Sequence, residues 1–354
     1  MSSSLELSRG PLATTLGVGG PAEHLARVTS ALHVLQALAF ADERQLPWWV
    51  VAGGSNVVIA DAGLPGVVLQ PVQPAEPIAI LCDDGERVQL RVAAGLAWDE
   101  LVAWSVAQGL QGIECLSGIP GQVGAAPVQN IGAYGQEVSD VLLAVHGVDA
   151  VARTARTWPA AECQLAYRDS IFKQNPKLAV VLAVDVQLWR GRPPCLAYAQ
   201  LQQAAQGLNG QGQGGLARIR ALVLQLRADK GMVVSASDLD SRSCGSFFTN
   251  PIVDLAVAEQ VRTRLAAGAA MPTWPHGAGQ VKLSAAWLIE KCGMPKGFGQ
   301  GRVGLSSKHT LALVNRGGAT AQEVLEFAQV VVGKVQTACG VVLVPEVRVM
   351  GLDT

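Results

Sequence analysis

The chain has 354 residues, 49% of them hydrophobic and 16% charged. That is more than a single hydrophobic core usually takes up and far from a disordered composition, so two or three packed domains are expected. Lys and Arg total 27 against 28 Asp and Glu, a formal charge of -1, which gives no reason to expect nucleic acid or an anionic membrane as a partner.

The opening MSSSLELSRG lacks the basic start and apolar run of a secretory signal. The apolar stretches 178–188 and 330–342 are interrupted by Asp185 and Lys334 and are too short to span a membrane. Residues 30–45 carry Leu32, Leu35 and Leu38 at helical spacing and lead into an apolar 47–52 that ends in Gly53, Gly54, Ser55 and Asn56: helix, strand, glycine turn. Strands are expected at 67–71 and 88–94, and a helix at 98–108 stopped by Gly109. The glycine-rich stretch 112–135, with Pro120, Pro127 and Asn130, reads mostly as loop, and long ordered loops usually have a function. Residues 199–216, AQLQQAAQGLNGQGQGGL, read as a flexible insert or linker, with a domain boundary near 226. A short helix at 284–292 closes at Gly293, and Thr320 with Glu323 forms a capping box opening a helix to about Ala338. The closing VVLVPEVRVM reads as a strand with Val342, Val344, Glu346, Arg348 and Met350 on one face, two charges amid apolar neighbours.

Cys82, Cys115, Cys163, Cys195, Cys244, Cys292 and Cys339 are odd in number and far apart, with no CxxC pair or nearby histidine at ligand spacing. Reduced cytoplasmic thiols are expected and no metal site. Two segments match GxGxxG, at Gly210, Gly212, Gly215 and at Gly299, Gly301, Gly304, but neither follows a strand and opens a helix as a dinucleotide fingerprint must. AGGSN at 52–56 and IPGQVGAAPVQNIGAYG at 119–135 are stronger signals. Glycines let backbone N–H groups come close to a phosphate, and a turn of such groups suits a pyrophosphate without a lysine. Taken alone, GGSN is more simply an ordinary turn.

Together with YRDSIFK (167–173), GSFFTNP (245–251), VKLSAAWLIEKCG (281–293) and PEVR (345–348), these motifs resemble in order and type those of the UDP-N-acetylenolpyruvoylglucosamine reductase family, over residues 14–351. The resemblance implies an α+β chain: a two-subdomain FAD-binding fold of the vanillyl-alcohol-oxidase type, here 1–75 with 341–354 and 76–226, and a C-terminal substrate domain at 227–340. It implies noncovalent FAD, held by Gly53, Gly54, Ser55, Asn56, Ile119, Pro120, Gly121, Gly124, Ala125, Gln129, Asn130 and Gly132. NADPH would reduce the flavin and leave, and the UDP-sugar substrate would then take the same site in a ping-pong scheme. The product would serve peptidoglycan synthesis in the cytoplasm, the protein being a monomer.

Reduction of an enolpyruvyl group leaves an enolate to be stabilised, polarised and protonated. Arg168 matches the family arginine, a planar donor suited to an enolate carboxylate; from the residues alone it is as readily a partner for Asp169. Glu346 matches the catalytic glutamate, its pKa expected to be raised by apolar strand neighbours, whereas the residues alone favour an ion pair with Arg348. Ser246 matches the proton donor, a poor acid that needs nearby cations or a strongly basic carbanion, and Lys230 matches the cation on its approach. Without the family, a Ser between Gly and Phe is usually a turn or capping residue. Tyr134, Asn250 and Lys282 match residues for the sugar and diphosphate, and Tyr198 the tyrosine that closes over substrate in one subtype. Trp274 departs from the pattern, standing where a phosphate-contacting tyrosine is common. His309 is expected to pack near the flavin or substrate channel. A flavin oxidase of the same fold and a noncatalytic binding protein are the rival readings. Intact Arg168, Ser246 and Glu346 weigh against the second.

Overall fold

The computed structural model describes residues 5–192, 195–204, 213–265 and 270–352. They fall into two units, the first made of the described residues of 1–12, 21–54 and 64–228, the second of those of 13–20, 55–63 and 229–354. The first holds helices α1 (Ala31–Glu43), α2 (Trp98–Ala107), α3 (Ile171–Gln174), α4 (Ala199–Ala204) and α5 (Gln213–Ala228); the second holds α6 (Leu255–Leu265), α7 (Ala285–Lys291) and α8 (Ala321–Cys339).

In the first unit α1 starts where the Ser30 hydroxyl accepts the His33 N–H, an N-cap that satisfies a donor the helix cannot. Its Val34, Ala37, Leu38 and Ala41 pack on Ala26, Val67 and Leu69 of the adjacent sheet. Leu32, expected on that face, is exposed. The sheet runs Leu7–Gly10, Ala22–Val28, Leu64–Pro71, Trp48–Val50, the last three parallel. A second, antiparallel sheet runs Thr154–Pro159, Leu142–Asp149, Ala179–Arg190, Arg87–Ala93, Ile78–Asp83. Its alternation puts Val88, Leu90, Val92, Val184, Val186 and Leu188 under Leu101, Val102 and Val106 of α2. On the other face Arg91 grips Asp185 with two bonds of 2.8 and 2.7 Å, and His146 Nε2 adds a third contact at 2.8 Å.

The glutamine-rich tract corrects one expectation. Residues 199–204 are α4 and 213–216 open α5, so both ends are helical, while 205–212 lie outside the described residues. Leu216, Ile219 and Val223 of α5 are buried, at the three- and four-residue spacing of an apolar helix stripe.

In the second unit α8 opens with the expected capping box: Thr320 Oγ1 accepts the Glu323 N–H, and the Glu323 carboxylate accepts the Thr320 N–H at 2.8 Å. It ends at left-handed Gly340, φ 82°. Val324, Ala328, Val331 and Val335 pack with Phe247, Phe248, Leu288 and Ile289 in one core. The strands are an antiparallel set Ile252–Asp254, Gln280–Leu283, Thr273–His276, a hairpin of Val303–Leu305 with Leu313–Asn315, and a parallel pair of Val57–Ile59 with Arg348–Met350. The closing segment is a strand only from Arg348 to Met350; upstream of it Val342 and Val344 are exposed, so they do not give Glu346 the apolar surround expected of them. Gly299, Gly301 and Gly304 lead into a strand, and the Arg316 guanidinium bonds the carbonyls of Gly299 (2.7 Å) and Gly297 (2.9 Å) there, a structural use of that motif. Of the other copy, Gly215 lies in α5 and Gly210 and Gly212 lie outside the described residues. Among the described residues no helix is long and apolar enough to cross a membrane.

Candidate active site

Within the first unit the glycines of the two motifs, Gly53 and Gly121, meet. A Cβ at Gly53 would stand 3.1 Å from the Gly121 Cα, so the two backbones pass close together and a side chain there would press Gly121 aside. Gly54 and Gly121 are left-handed, φ 63° and 112°, which only glycine adopts without strain. The second motif is strapped to the end of strand Arg87–Ala93: the Gly124 N–H donates to Ala94 O and the Val123 N–H to Leu96 O, each 2.9 Å, and Gly121 O accepts the Trp98 N–H at 2.9 Å. Ile119 packs on the core beneath, and Ala125 lies in a 3-10 turn, Val123–Val128, that closes at Gln129. The stretch 112–135 is therefore loop built from tight turns, one of them Glu114–Leu116. The Val123 and Gly124 amides are thus taken by carbonyls, and what the two loops offer the pyrophosphate of a dinucleotide cofactor is the close backbone approach that Gly53, Gly54 and Gly121 allow.

Asn130 is buried, and its side chain ties the loop to the segments beside it, donating to Glu137 (2.9 Å) and Ala166 O (3.2 Å) and accepting the Ser139 N–H. Its carbonyl and that of Gly132 receive the Arg168 guanidinium at 3.3 and 2.8 Å. A Cβ at Gly132 would press on the Glu137 side chain at 2.8 Å and the Gln136 carbonyl at 3.0 Å, and would come only into ordinary contact with the Arg168 guanidinium at 3.4 Å. Arg168 has φ 56°, a strained conformation for a residue with a side chain. Asp169 bonds Gln174 at 2.7 Å, while Arg168 turns to the loop. Tyr134, also left-handed at φ 51°, meets Tyr198 edge to face with centroids 5.3 Å apart. The charge of Arg227 lies close to Tyr134 and Asp99, and burial lowers its pKa.

The second unit brings together GSFFTNP and PEVR. The Glu346 N–H donates to Phe247 O at 2.8 Å, and the Thr249 N–H to Val344 O at 3.0 Å. Ser246 and Glu346, about 100 residues apart in sequence, thus sit on adjoining extended segments and are both half-buried. Asn56 brackets Glu346: its Nδ2 donates to Glu346 O at 3.2 Å and its own carbonyl accepts the Arg348 N–H at 3.1 Å. Burial lowers the pKa of Arg348 itself. The Ser55 carbonyl accepts from Thr15 at 3.4 Å, and the same Thr15 hydroxyl reaches Ser243 O at 2.6 Å, beside Gly245. Met232, two residues after Lys230, lies 3.8 Å from where a Gly245 Cβ would be. Asn250 Oδ1 accepts the Ala285 N–H at 3.0 Å, at the first residue of α7, whose N-cap is Ser284. Lys282 lies in the middle strand, in register with Ile252 on one side and exposed Trp274 on the other.

His309 is pushed down to about 4, first by burial and then by the charges of Lys230 and Lys296, so it is neutral at working pH and suits packing better than base chemistry. The unfolded imidazole titrates near 6.5, so stability is complete above that pH and falls as pH drops toward 4, the unfolded chain binding the proton that the native one refuses. The cost is about 2 kcal/mol, discounted for partial exposure. Urea denaturation at pH 7.5 and 4.5 should show that loss in the native chain and much less of it in His309→Gln; equal losses in both would remove His309 as the cause.

Sequence reasoning passed over Glu114, Gln136 and Arg227. Glu114 carried a signal, a lone carboxylate in the otherwise uncharged GIECLSGIPG, and such a charge inside a chain that packs must find donors.

Comparison with known proteins finds relatives along nearly the whole chain. Residues 237–350 match the family model described as UDP-N-acetylenolpyruvoylglucosamine reductase, C-terminal domain, and residues 22–157 the FAD binding domain. The UDP-N-acetylenolpyruvoylglucosamine reductase of Thermobifida fusca is 44% identical over 351 residues, 97% of each chain. That of Corynebacterium diphtheriae is 44% identical over 336 residues, 94% of this chain and 86% of its own. The crystal structure of the Thermus caldophilus enzyme superposes with TM-score 0.67 at 26% identity, covering 98% of this chain and all of that one. The chain belongs to the UDP-N-acetylenolpyruvoylglucosamine reductase family.

Proposed function

We propose that this protein reduces UDP-N-acetylglucosamine enolpyruvate to UDP-N-acetylmuramate for peptidoglycan synthesis, with FAD as cofactor and NADPH as reductant, as a cytoplasmic monomer. The pairing of Ser246 with Glu346 carries the reading: a hydroxyl and a carboxylate on segments tied by the Glu346 N–H to Phe247 O bond of 2.8 Å. FAD would be held by the loops of Gly53, Gly54 and Gly121 and would supply hydride transfer between NADPH and the enolpyruvyl group. Everything else falls to the chain's side chains. Arg168, held over the loop by two carbonyls, binds the substrate carboxylate and the enolate charge. Glu346 polarises that carboxylate, and Ser246 gives a proton to the carbon bearing the ether oxygen, its loss made easier by the charge of Lys230. Tyr134, Tyr198, Asn250 and Lys282 hold the sugar and diphosphate, with Trp274 beside Lys282 in place of a phenol.

The cofactor then belongs to residues 1–75 with 341–354 and to 76–226, and the sugar nucleotide to 227–340. The parallel pairing of Arg348–Met350 with Val57–Ile59 supports the return of the closing segment to the first 75 residues. An anaerobic experiment tests the whole reading. NADPH should bleach the flavin band of the purified protein, and the enolpyruvyl sugar nucleotide should restore it without oxygen, forming the lactyl ether. A yellow protein that NADPH cannot bleach would be an oxidase, and a chain that takes up no FAD would remove the flavoenzyme reading entirely.

A further inference from the structure

Glu114 is fully buried and has no part in the chemistry above. Its carboxylate is not idle: Oε2 accepts the Gly112 N–H at 2.8 Å and Oε1 accepts the Cys195 N–H at 2.9 Å. The next residue repeats the connection, since the Cys115 thiol donates to Cys195 O at 3.3 Å. The Cys115 N–H in turn donates to Gln136 Oε1 at 2.7 Å, and Gln136 belongs to the hairpin Gly132–Ala133 with Gln136–Glu137 that carries Tyr134 at its turn. One short turn, Glu114–Leu116, therefore ties down two segments: the hairpin of Tyr134 and the stretch from Cys195 to Tyr198. The segments touch where expected of parts held to a common post. Tyr198 meets Tyr134 at 5.3 Å, and Gly135, φ 87°, would place a Cβ 2.9 Å from that of Ala197.

Burying a carboxylate is costly unless charge-assisted hydrogen bonds replace its water, and backbone N–H groups are among the donors that do so. A neutral residue could fill the same space without that cost, so the charge at Glu114 needs a use. Tyr198 itself is 38% exposed and follows a segment with little burial of its own. Cys195 and Leu201, on either side of Tyr198, pack in one cluster with Cys115, Ile219 and Val223, and the bond from Glu114 fixes the backbone where the exposed stretch 196–198 begins.

We propose that Glu114 is a positioning residue for substrate closure: its buried carboxylate anchors the Cys195 backbone so that Tyr198 stands against Tyr134 when the sugar nucleotide binds. The inference rests on the reductase reading for the role of Tyr198. Glu114→Ala leaves two backbone donors unanswered and frees the segment, so the KM for the enolpyruvyl sugar nucleotide should rise about 10- to 100-fold. The kcat should change by less than about 3-fold, and flavin content should hold. Amide exchange at 195–198 should accelerate in step. Glu114→Gln, nearly isosteric and keeping one acceptor, should lie between, and it serves if the Ala variant folds poorly.

The double variant separates an anchor from a general packing role. In a Tyr198→Ala background, Glu114→Ala should add nothing further to KM. Additive effects, a fall in kcat without a rise in KM, or unchanged exchange at 195–198 would each overturn the proposal. The wild-type protein run beside them isolates the other failure: if the sugar nucleotide does not reoxidise its flavin, the reductase reading falls and takes the proposal with it, whatever the variants do.

Discussion

Ser246→Ala should retain FAD and be bleached by NADPH at about the wild-type rate, while reoxidation by the enolpyruvyl sugar nucleotide slows roughly 100- to 10,000-fold, the usual worth of a positioned proton donor. The separation follows from what the hydroxyl does. Removing it leaves the backbone in place, because the Phe247 N–H still donates to Leu311 O at 2.8 Å and the Phe247 ring stays buried. Flavin reduction asks for no proton from the protein at that position. Reduction of the enolpyruvyl group does, and its enolate then returns to starting material unless protonated. Stopped-flow absorbance at the flavin band measures each half separately. A variant reoxidised within about 3-fold of wild type would show that the proton comes from elsewhere.

Gly124→Val should cost the protein its cofactor. A Cβ at Gly124 would lie 2.5 Å from the Ala94 Cβ and 3.1 Å from its Cα, against backbone that cannot swing aside. The loop would have to lift, breaking the Gly124 N–H to Ala94 O bond of 2.9 Å and drawing the turn away from Gly53. Overpacking of this kind costs about 3 kcal/mol, and where that strain is relieved by displacing the loop the FAD dissociation constant should rise about 100-fold. Fluorescence titration of the apoprotein with FAD reads this directly. Wild-type affinity in the variant would mean that the 119–135 loop holds something other than the cofactor.

Much of this was legible in the sequence because local chemistry sets helix ends. Ser30, Ser284 with Gly293, and Thr320 with Glu323 each marked a terminus found within a residue or so. The glutamine-rich tract misled because composition was read in place of periodicity. Glutamine is a good helix former, and Leu216, Ile219, Val223 and Leu226 already carry the spacing of a buried helix face. The closing segment misled differently. Period-2 alternation says which residues share a face but not whether a partner strand lies beside them, and upstream of Arg348 the partner is an extended loop around Phe247. The site motifs were visible as motifs, yet the use of Asn56 and Asn130 was not. Both spend side-chain bonds on holding other site residues, Glu346 in one case and the Arg168 loop in the other, which depends on contacts far away in sequence.

The bond between Asn56 and Glu346 joins positions 290 residues apart. A ribosome adding 5 to 20 residues each second would deliver the second partner roughly 15 to 60 s after the first. Through that interval the strand Val57–Ile59 waits without Arg348–Met350, its parallel neighbour, and an unpaired strand edge invites the wrong partner. Closure across so long a chain is also slow, since the entropy of the intervening residues is lost before the contact is gained. The carboxylate of Glu346 is thus installed late in synthesis, after the chain has carried an unpaired Val57–Ile59 for most of its length.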